Sequence, residues 1–291
     1  MNKWFRRLTK RVRPEGIIPL MVMFMMCARV SLRSIPENRT WGVLFAHRGA
    51  SGLAPENTLA AVKEAIKLGA DGVEIDVHQT RDSMLVVIHD YSIDRTTGGS
   101  GKVIELTFEE IRSYSAGHWF DTRFASEKVP SLDEVLELVN GRTRLLIEIK
   151  GGGEMYPGIE ERVVEAVKAH DARNWCTIQS FQDYTLKAVH RIDSTLTLHK
   201  LVMYHVPGLP VYVDSGIQLG WLRNYKFVDA INLNRNWISE AAVKSLHKHG
   251  FKVHVWTVND SLDMVQLFKI GVDGVITDFP NFRQRDNHSL K

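Results

Sequence analysis

The sequence predicts an α/β protein folded as a closed eight-stranded (β/α)8 barrel, and three observations carry that expectation. Short apolar or β-branched runs alternate with amphipathic stretches from Trp41 onward, the rhythm of strands joined by crossover helices. Nine such runs occur, more than a typical doubly wound sheet needs and enough for a closed barrel. A length of 291 residues suits an α/β barrel as a single unit.

Taken in order, the strand candidates are Val43–Ala46, Val73–Val77, Leu85–Ile88, Arg144–Ile149, Trp175–Gln179, Thr195–Leu201, Val228–Asn232, Lys252–Trp256 and Gly274–Ile276. Leu85–Ile88 is either a barrel strand or a return hairpin. Helical spacing puts Leu59, Val62, Ala65, Ile66 and Leu68 on one face; the pattern returns in Ile159, Val163, Val164 and Val167, and in Leu262, Val265, Leu267 and Phe268. Thr58, Ser239 and either Asp260 or Ser261 are the expected N-caps. Between His89 and Arg144 the chain carries only one clear helix-like run before Ser131–Leu138. So long a connection is usually functional, and residues about 91–142 are read as a small insertion over one mouth of a barrel spanning 41–285, with 286–291 as a tail.

Composition excludes several classes. Hydrophobic residues are 44% and charged residues 24%, ordinary for a globular chain and unlike disordered, collagenous or coiled-coil sequences. Six of the 37 basic residues lie within the first thirteen, so the remainder carries a net charge near −3 and no basic stripe argues for nucleic acid. Two cysteines, Cys27 and Cys176, make neither a disulfide framework nor a metal cluster. Residues 1–40 form a separate leader: after the basic stretch come twelve uncharged residues, Ile17–Ala28. A helix of that length covers roughly 18 Å against about 30 Å of bilayer hydrocarbon. It reads as a signal or membrane-associating segment, so export or membrane attachment through residues 1–28 is expected somewhat ahead of a cytoplasmic location.

In a parallel barrel, catalytic groups sit at the carboxyl ends of the strands. The first run ends in His47-Arg48-Gly49, the second contains Glu74 and Asp76, the third ends in His89-Asp90, and the fourth contains Glu148 and Lys150. Residues two apart on a strand share a face, so Glu74 and Asp76 face inward together, and Glu148 brings a third carboxylate. Three oxygen donors suit a hard cation, Ca²⁺ or Mg²⁺, better than zinc. The plainer alternative is a set of barrel salt bridges in which Lys150 pairs with Glu148 or Asp76. His47 and His89 each close an apolar run, a poor place for packing and a good one for proton transfer near neutral pH. Histidines, carboxylates and Arg48 together suit an anionic phosphoryl centre. The glycine-rich Gly98–Lys102 fails the phosphate-loop pattern, and His78, His118, His247, His249 and His254 are set aside.

At these residues the chain resembles the glycerophosphodiester phosphodiesterases. The resemblance rests on AHRGASGLAPENT (46–58), VEIDVHQTRDSMLVVIHD (73–90) and IEIK (147–150), and continues through DRTTGGSG (94–101), AGHWF (116–120), QSF (179–181), VWTVND (255–260) and DGVITDFP (273–280). It covers about Val43 to Pro280. It implies a TIM barrel of the type found in phosphoinositide-specific phospholipases C, with His47 and His89 as general acid and base. It further implies Glu74, Asp76 and Glu148 as ligands of one divalent cation, Arg48, Glu56, Asn57 and Lys150 around metal and phosphate, and Phe181 and Trp256 on the glycerol side. The implied reaction is metal-dependent hydrolysis of a small-molecule glycerophosphodiester to sn-glycerol 3-phosphate and an alcohol. A neighbouring glycerol hydroxyl would attack to give a cyclic phosphate, so no Ser, Thr or Cys nucleophile is needed. A membrane-acting lysophospholipase D or phosphoinositide-type phosphodiesterase, and a silent phosphodiester-binding barrel, are the alternatives.

Overall fold

The apolar runs form strands nearly where their composition places them. The structure, a computed structural model, describes residues 42–205, 211–213 and 219–282. In chain order the elements are β1 (Val43–Ala46), α1 (Leu59–Lys67), β2 (Gly72–Gln79), β3 (Leu85–Val87), α2 (Phe108–Ser113), α3 (Leu132–Val139), β4 (Arg144–Ile149), α4 (Gly152–Met155), α5 (Ile159–Ala169), β5 (Cys176–Ser180), α6 (Asp183–Ile192), β6 (Thr197–Val202), β7 (Tyr204–His205), β8 (Val211–Val213), β9 (Leu219–Trp221), β10 (Ala230–Asn234), α7 (Glu240–Lys248), β11 (Lys252–Trp256), α8 (Ser261–Lys269) and β12 (Gly274–Thr277). Eight of these strands are hydrogen-bonded neighbours in the order β1-β12-β11-β10-β6-β5-β4-β2, and the β1–β2 pairing closes the ring. The fold is therefore a (β/α)8 TIM barrel.

Strand β3 settles the alternative left open by sequence. It runs antiparallel to β2, with Val77 opposite Val87, and is a return hairpin that delivers His89 back beside the barrel mouth. From there to α3 the chain builds its own apolar cluster, in which Val86, Ile88, Ile93, Val103, Ile111, Ala116 and Val129 are buried together. Tyr204–His205, Val211–Val213 and Leu219–Trp221 contribute a second feature that no apolar pattern announced, a small antiparallel sheet of β7, β8 and β9.

The main core lies between the strands and the helical layer. Val62 and Ala65 of α1 and Val163, Val164 and Val167 of α5 are buried, as their spacing requires. Caps agree with chemistry: Thr58, Ser239 and Asp260 accept from backbone N–H groups of the first turn, which decides for Asp260 over Ser261. Leu262 departs from expectation. It sits one residue into the first turn of α8 and is 47% exposed, while Met264 takes the buried place beside Val265 and Leu267. Inside the barrel, Phe45, Leu146 and Ile276 form an apolar floor, and register sets Asp76 opposite Glu148 and Glu148 opposite Gln179. Asp76, Glu148 and Gln179 thus stand on one rung above that floor, while Glu74 pairs in register with Leu146. The leader and the 286–291 tail lie outside the described residues, and among the described residues no helix is long and apolar enough to cross a membrane.

Candidate active site

Where β1 ends, the chain turns through His47, Arg48 and Gly49 over the barrel mouth. Arg48 and Gly49 have φ of 52° and 80°, a region glycine enters freely and arginine only under constraint. Contacts on both sides supply the constraint. Arg48 N–H donates to Glu74 Oε2 at 3.0 Å, Gly49 N–H donates to the Glu74 carbonyl at 3.2 Å, and a Cβ on Gly49 would stand 2.6 Å from the Ala61 backbone. The Arg48 guanidinium donates from Nη1 to Glu56 Oε1 at 2.8 Å, and its Nε lies 3.3 Å from Asp76 Oδ2.

His47 is fixed by the other end of the chain. Its Nδ1 lies 2.6 Å from Asp278 Oδ1, at the exit of β12. The same carboxylate accepts from Ser51 Oγ at 2.9 Å and from the Asn259 amide. Burial works against an imidazolium here, but the Asp278 hydrogen bond and the charge of Glu74 outweigh it, so the His47 pKa is raised. With Nδ1 committed to Asp278, Nε2 is left for the cleft.

Glu74, Asp76 and Glu148 are buried and come together: one oxygen from each lies within 4.8 Å of the others. Burial alone would raise Asp76, but Lys150 and Arg48 hold it well below the usual carboxylate range. Glu74 goes the other way, pushed up to about 7 by burial and by Asp76, and Glu148 is likewise raised, chiefly by burial. Lys150 Nζ lies 3.0 Å from Asp76 Oδ1 and 2.7 Å from Glu148 Oε1, so the salt bridges foreseen as the plainer alternative do exist. They stop short of Glu74, whose oxygens accept from Arg48 N–H and, at 3.0 Å, from Gln179 Nε2. Three clustered hard oxygen donors, one of them driven toward its protonated form by its neighbour's charge, are the donor set a divalent cation would relieve. The residues fit such an ion.

His89 faces the same space from the hairpin. Its Nδ1 lies 2.7 Å from Asp90 Oδ1, and burial, aided by Lys150, outweighs the raising effect of Asp76 to leave its pKa lowered. Glu56 and Asn57 stand behind the cleft. Glu56 holds Arg48, and Asn57, at φ 56°, donates to Asp76 Oδ2 at 2.8 Å while accepting from Asp76 N–H at 3.2 Å. Phe181 and Trp256 stack edge to face, ring centroids 5.7 Å apart, on one wall. The cleft, about 110 Å³, is lined by both histidines, Arg48, Lys150, the three carboxylates and these two rings.

Four supporting residues escaped assignment from sequence. Asp278 and Asp90 hold the two histidines, Arg95 bridges Asp90 and Glu56, and Gln179 braces Glu74. Asp278 carried a legible signal, since it follows an apolar run as the other site residues do. His78, set aside earlier, is buried with Nε2 lying 3.0 Å from the His89 carbonyl and Nδ1 lying 2.8 Å from Tyr156 Oη, so it holds the backbone of His89. His118 is exposed.

Comparison with known proteins agrees with this geometry. The Glycerophosphoryl diester phosphodiesterase family profile matches residues 47–282. A glycerophosphodiester phosphodiesterase of Caldanaerobacter subterraneus subsp. tengcongensis is 42% identical over 241 residues, covering 82% of this chain and 94% of that one. Glycerophosphodiester phosphodiesterase 1 of Homo sapiens is 31% identical over 265 residues, covering 81% and 80%. Among solved structures, an Oleispira antarctica phosphodiesterase in complex with the product sn-glycerol-3-phosphate superposes with a TM-score of 0.75 at 26% identity, over 85% of this chain and 97% of that one. With profile, relatives and fold in accord over the region that builds the cleft, the chain belongs to the glycerophosphodiester phosphodiesterase family and is a phosphoric diester hydrolase.

Proposed function

We propose that the chain hydrolyses glycerophosphodiesters to sn-glycerol 3-phosphate and an alcohol through a cyclic phosphate, with one divalent cation, Ca²⁺ or Mg²⁺, held by Glu74, Asp76 and Glu148. The observation that carries this reading is a pair of histidines, each oriented by its own carboxylate, beside three converging buried carboxylates. The ion would neutralise phosphoryl oxygen charge and favour ionisation of the attacking hydroxyl. Arg48 and Lys150 add fixed positive charge at the phosphate, and Phe181 and Trp256 receive the glycerol carbons.

The histidines divide the proton transfers according to their surroundings. His89, with its lowered pKa, is neutral near pH 7 and takes the proton of the glycerol 2-hydroxyl as that oxygen bonds to phosphorus. His47, whose imidazolium is favoured by the Asp278 hydrogen bond, gives a proton to the alkoxide that leaves when the other P–O bond breaks. One cyclic phosphodiester and one alcohol result. Water then adds to phosphorus with the roles reversed: His47 accepts its proton, His89 protonates the ring oxygen, and both return to their starting states. Neither alternative reading gains a specific observation, because the relatives named above are glycerophosphodiester phosphodiesterases and no proposed histidine or carboxylate is missing.

A product assay over a panel of glycerophosphodiesters and lysophospholipids, with and without chelator, tests the reading. The expected product is sn-glycerol 3-phosphate plus free alcohol, with turnover lost on chelation. Release of the alcohol's phosphomonoester, or turnover indifferent to chelator, would overturn it.

Asp278→Asn should slow the reaction by about 10–10²-fold, the usual effect of losing an orienting partner of this kind. Removing that carboxylate also removes a cause of the raised His47 pKa. The alkaline limb of the rate profile should therefore move to lower pH, which a merely unstable variant would not show.

A further inference from the structure

One side chain joins the segment after β3 to both halves of the cleft. Arg95 donates from Nε and Nη2 to Asp90 Oδ2 and Oδ1 at 2.6 and 3.1 Å. It also donates from Nη1 and Nη2 to Glu56 Oε2 and Oε1, both at 2.8 Å. Each carboxylate in turn holds a residue of the site: Asp90 Oδ1 pairs with His89 Nδ1 at 2.7 Å, and Glu56 Oε1 accepts from Arg48 Nη1 at 2.8 Å. A planar guanidinium that forks onto two carboxylates fixes their rotation as well as their charge, which a lysine ammonium would not do.

We infer that Arg95 is a positioning residue that sets His89 through Asp90 and Arg48 through Glu56, so that acid/base chemistry and phosphate binding are held in one frame. The inference rests on the roles proposed above for His89 and Arg48. Without Arg95, Asp90 could rotate away from His89 Nδ1, freeing the ring to turn and to change tautomer. Glu56, still paired with Arg48, could draw that guanidinium out of register with Asp76.

Its position also separates this role from a structural one. The Arg95 side chain is 45% exposed and its partners Asp90 and Glu56 are 30% and 13% exposed, so the forked pair contributes modestly to stability, whereas loss of an orienting partner commonly slows catalysis by about 10–10²-fold. Activity and stability should therefore part company at this residue. The segment that carries it would then act on the chemistry through its bonds to Asp90 and Glu56 and need not touch the phosphate itself.

The test measures kcat, KM and Tm for Arg95→Ala and Arg95→Lys, and for Arg95→Ala in Asp90→Asn and Glu56→Gln backgrounds, with His89→Ala and Arg48→Ala in parallel. Arg95→Ala should lower kcat/KM by about 10–10²-fold with Tm shifted by less than about 3 °C, and Arg95→Lys should fall close to it. Its kcat effect should shrink in the Asp90→Asn background and its KM effect in the Glu56→Gln background, because the routes being cut are already broken. Millimolar guanidinium should restore part of the Arg95→Ala rate and none of the His89→Ala rate. A wild-type rate in Arg95→Ala, or a loss undiminished in both backgrounds, overturns the inference. If His89→Ala and Arg48→Ala also kept full rates, the site reading itself would fall; if they lost rate while Arg95→Ala did not, this inference alone would fail.

Discussion

Asp76→Asn is expected to reduce turnover by about 10³-fold or more, because a bound cation contributes several kcal/mol of charge stabilisation to a phosphoryl transition state and each 1.36 kcal/mol is about tenfold. Asp76 is the hub of the charged layer: Asn57 bonds it at 2.8 Å, Lys150 approaches to 3.0 Å and Arg48 to 3.3 Å. The amide keeps the shape and removes the charge. Added substrate should not rescue the variant, and chelation of the unaltered protein, which leaves the fold untouched, should mimic it until metal is returned. Calorimetric titration with metal gives a second readout. Glu74 has a pKa raised to about 7, so below that pH the ion must displace a proton, and affinity should fall about tenfold per pH unit as pH drops, levelling off above it. Since the Asp76 charge helps to raise Glu74, the break should move to lower pH in Asp76→Asn. A chelated protein running at full rate would sink the cation assignment.

His47→Ala and His89→Ala should each cost about 10²–10⁴ in rate, the usual contribution of a positioned acid or base, with metal affinity and unfolding nearly unchanged. The two losses should differ in their dependence on the leaving group. A diester of an acidic alcohol such as p-nitrophenol needs little protonation on departure, so His47→Ala should recover much of the first-turnover rate of p-nitrophenol release while His89→Ala should not, and opening of the cyclic phosphate, which uses His47 as base, should stay slow. Near-full activity of either variant on glycerophosphocholine would remove that histidine from the mechanism.

Legibility followed the strength of the physical constraint. A parallel barrel strand is buried on both faces, and β2 is buried at every position from Gly72 to Gln79, so its apolar run with two acids inside it was unmistakable. The same logic exposed His47, His89, Glu148 and Lys150, each a polar residue where an apolar one would pack. Helix α6 was not foreseen because one of its three buried positions is the polar Thr185, which breaks the apolar repeat in its first turn, and its Gln182 offers no cap. The small sheet of β7 to β9 has strands of two or three residues, below the length at which alternation registers. Arg95 was hidden for another reason. Its role depends on who stands opposite in space, and spacing along the chain carries no such information.

The pairing of His47 with Asp278 spans 231 positions of sequence, from the first barrel strand to the exit of the last. Loop-closure entropy must be spent before so distant a contact can form. During synthesis the chain therefore carries Glu74, Asp76, Glu148 and both histidines long before it carries Asp278, which pairs with one of them, and the ring cannot close until β12 has been made. A nascent or truncated chain that ends before Asp273 would present the charged layer with an open seam between β1 and β11, exposing unpaired strand edges to neighbours. Competence in this molecule is thus a late, all-at-once property of the finished chain, and fragments are better candidates for aggregation and clearance than for partial activity.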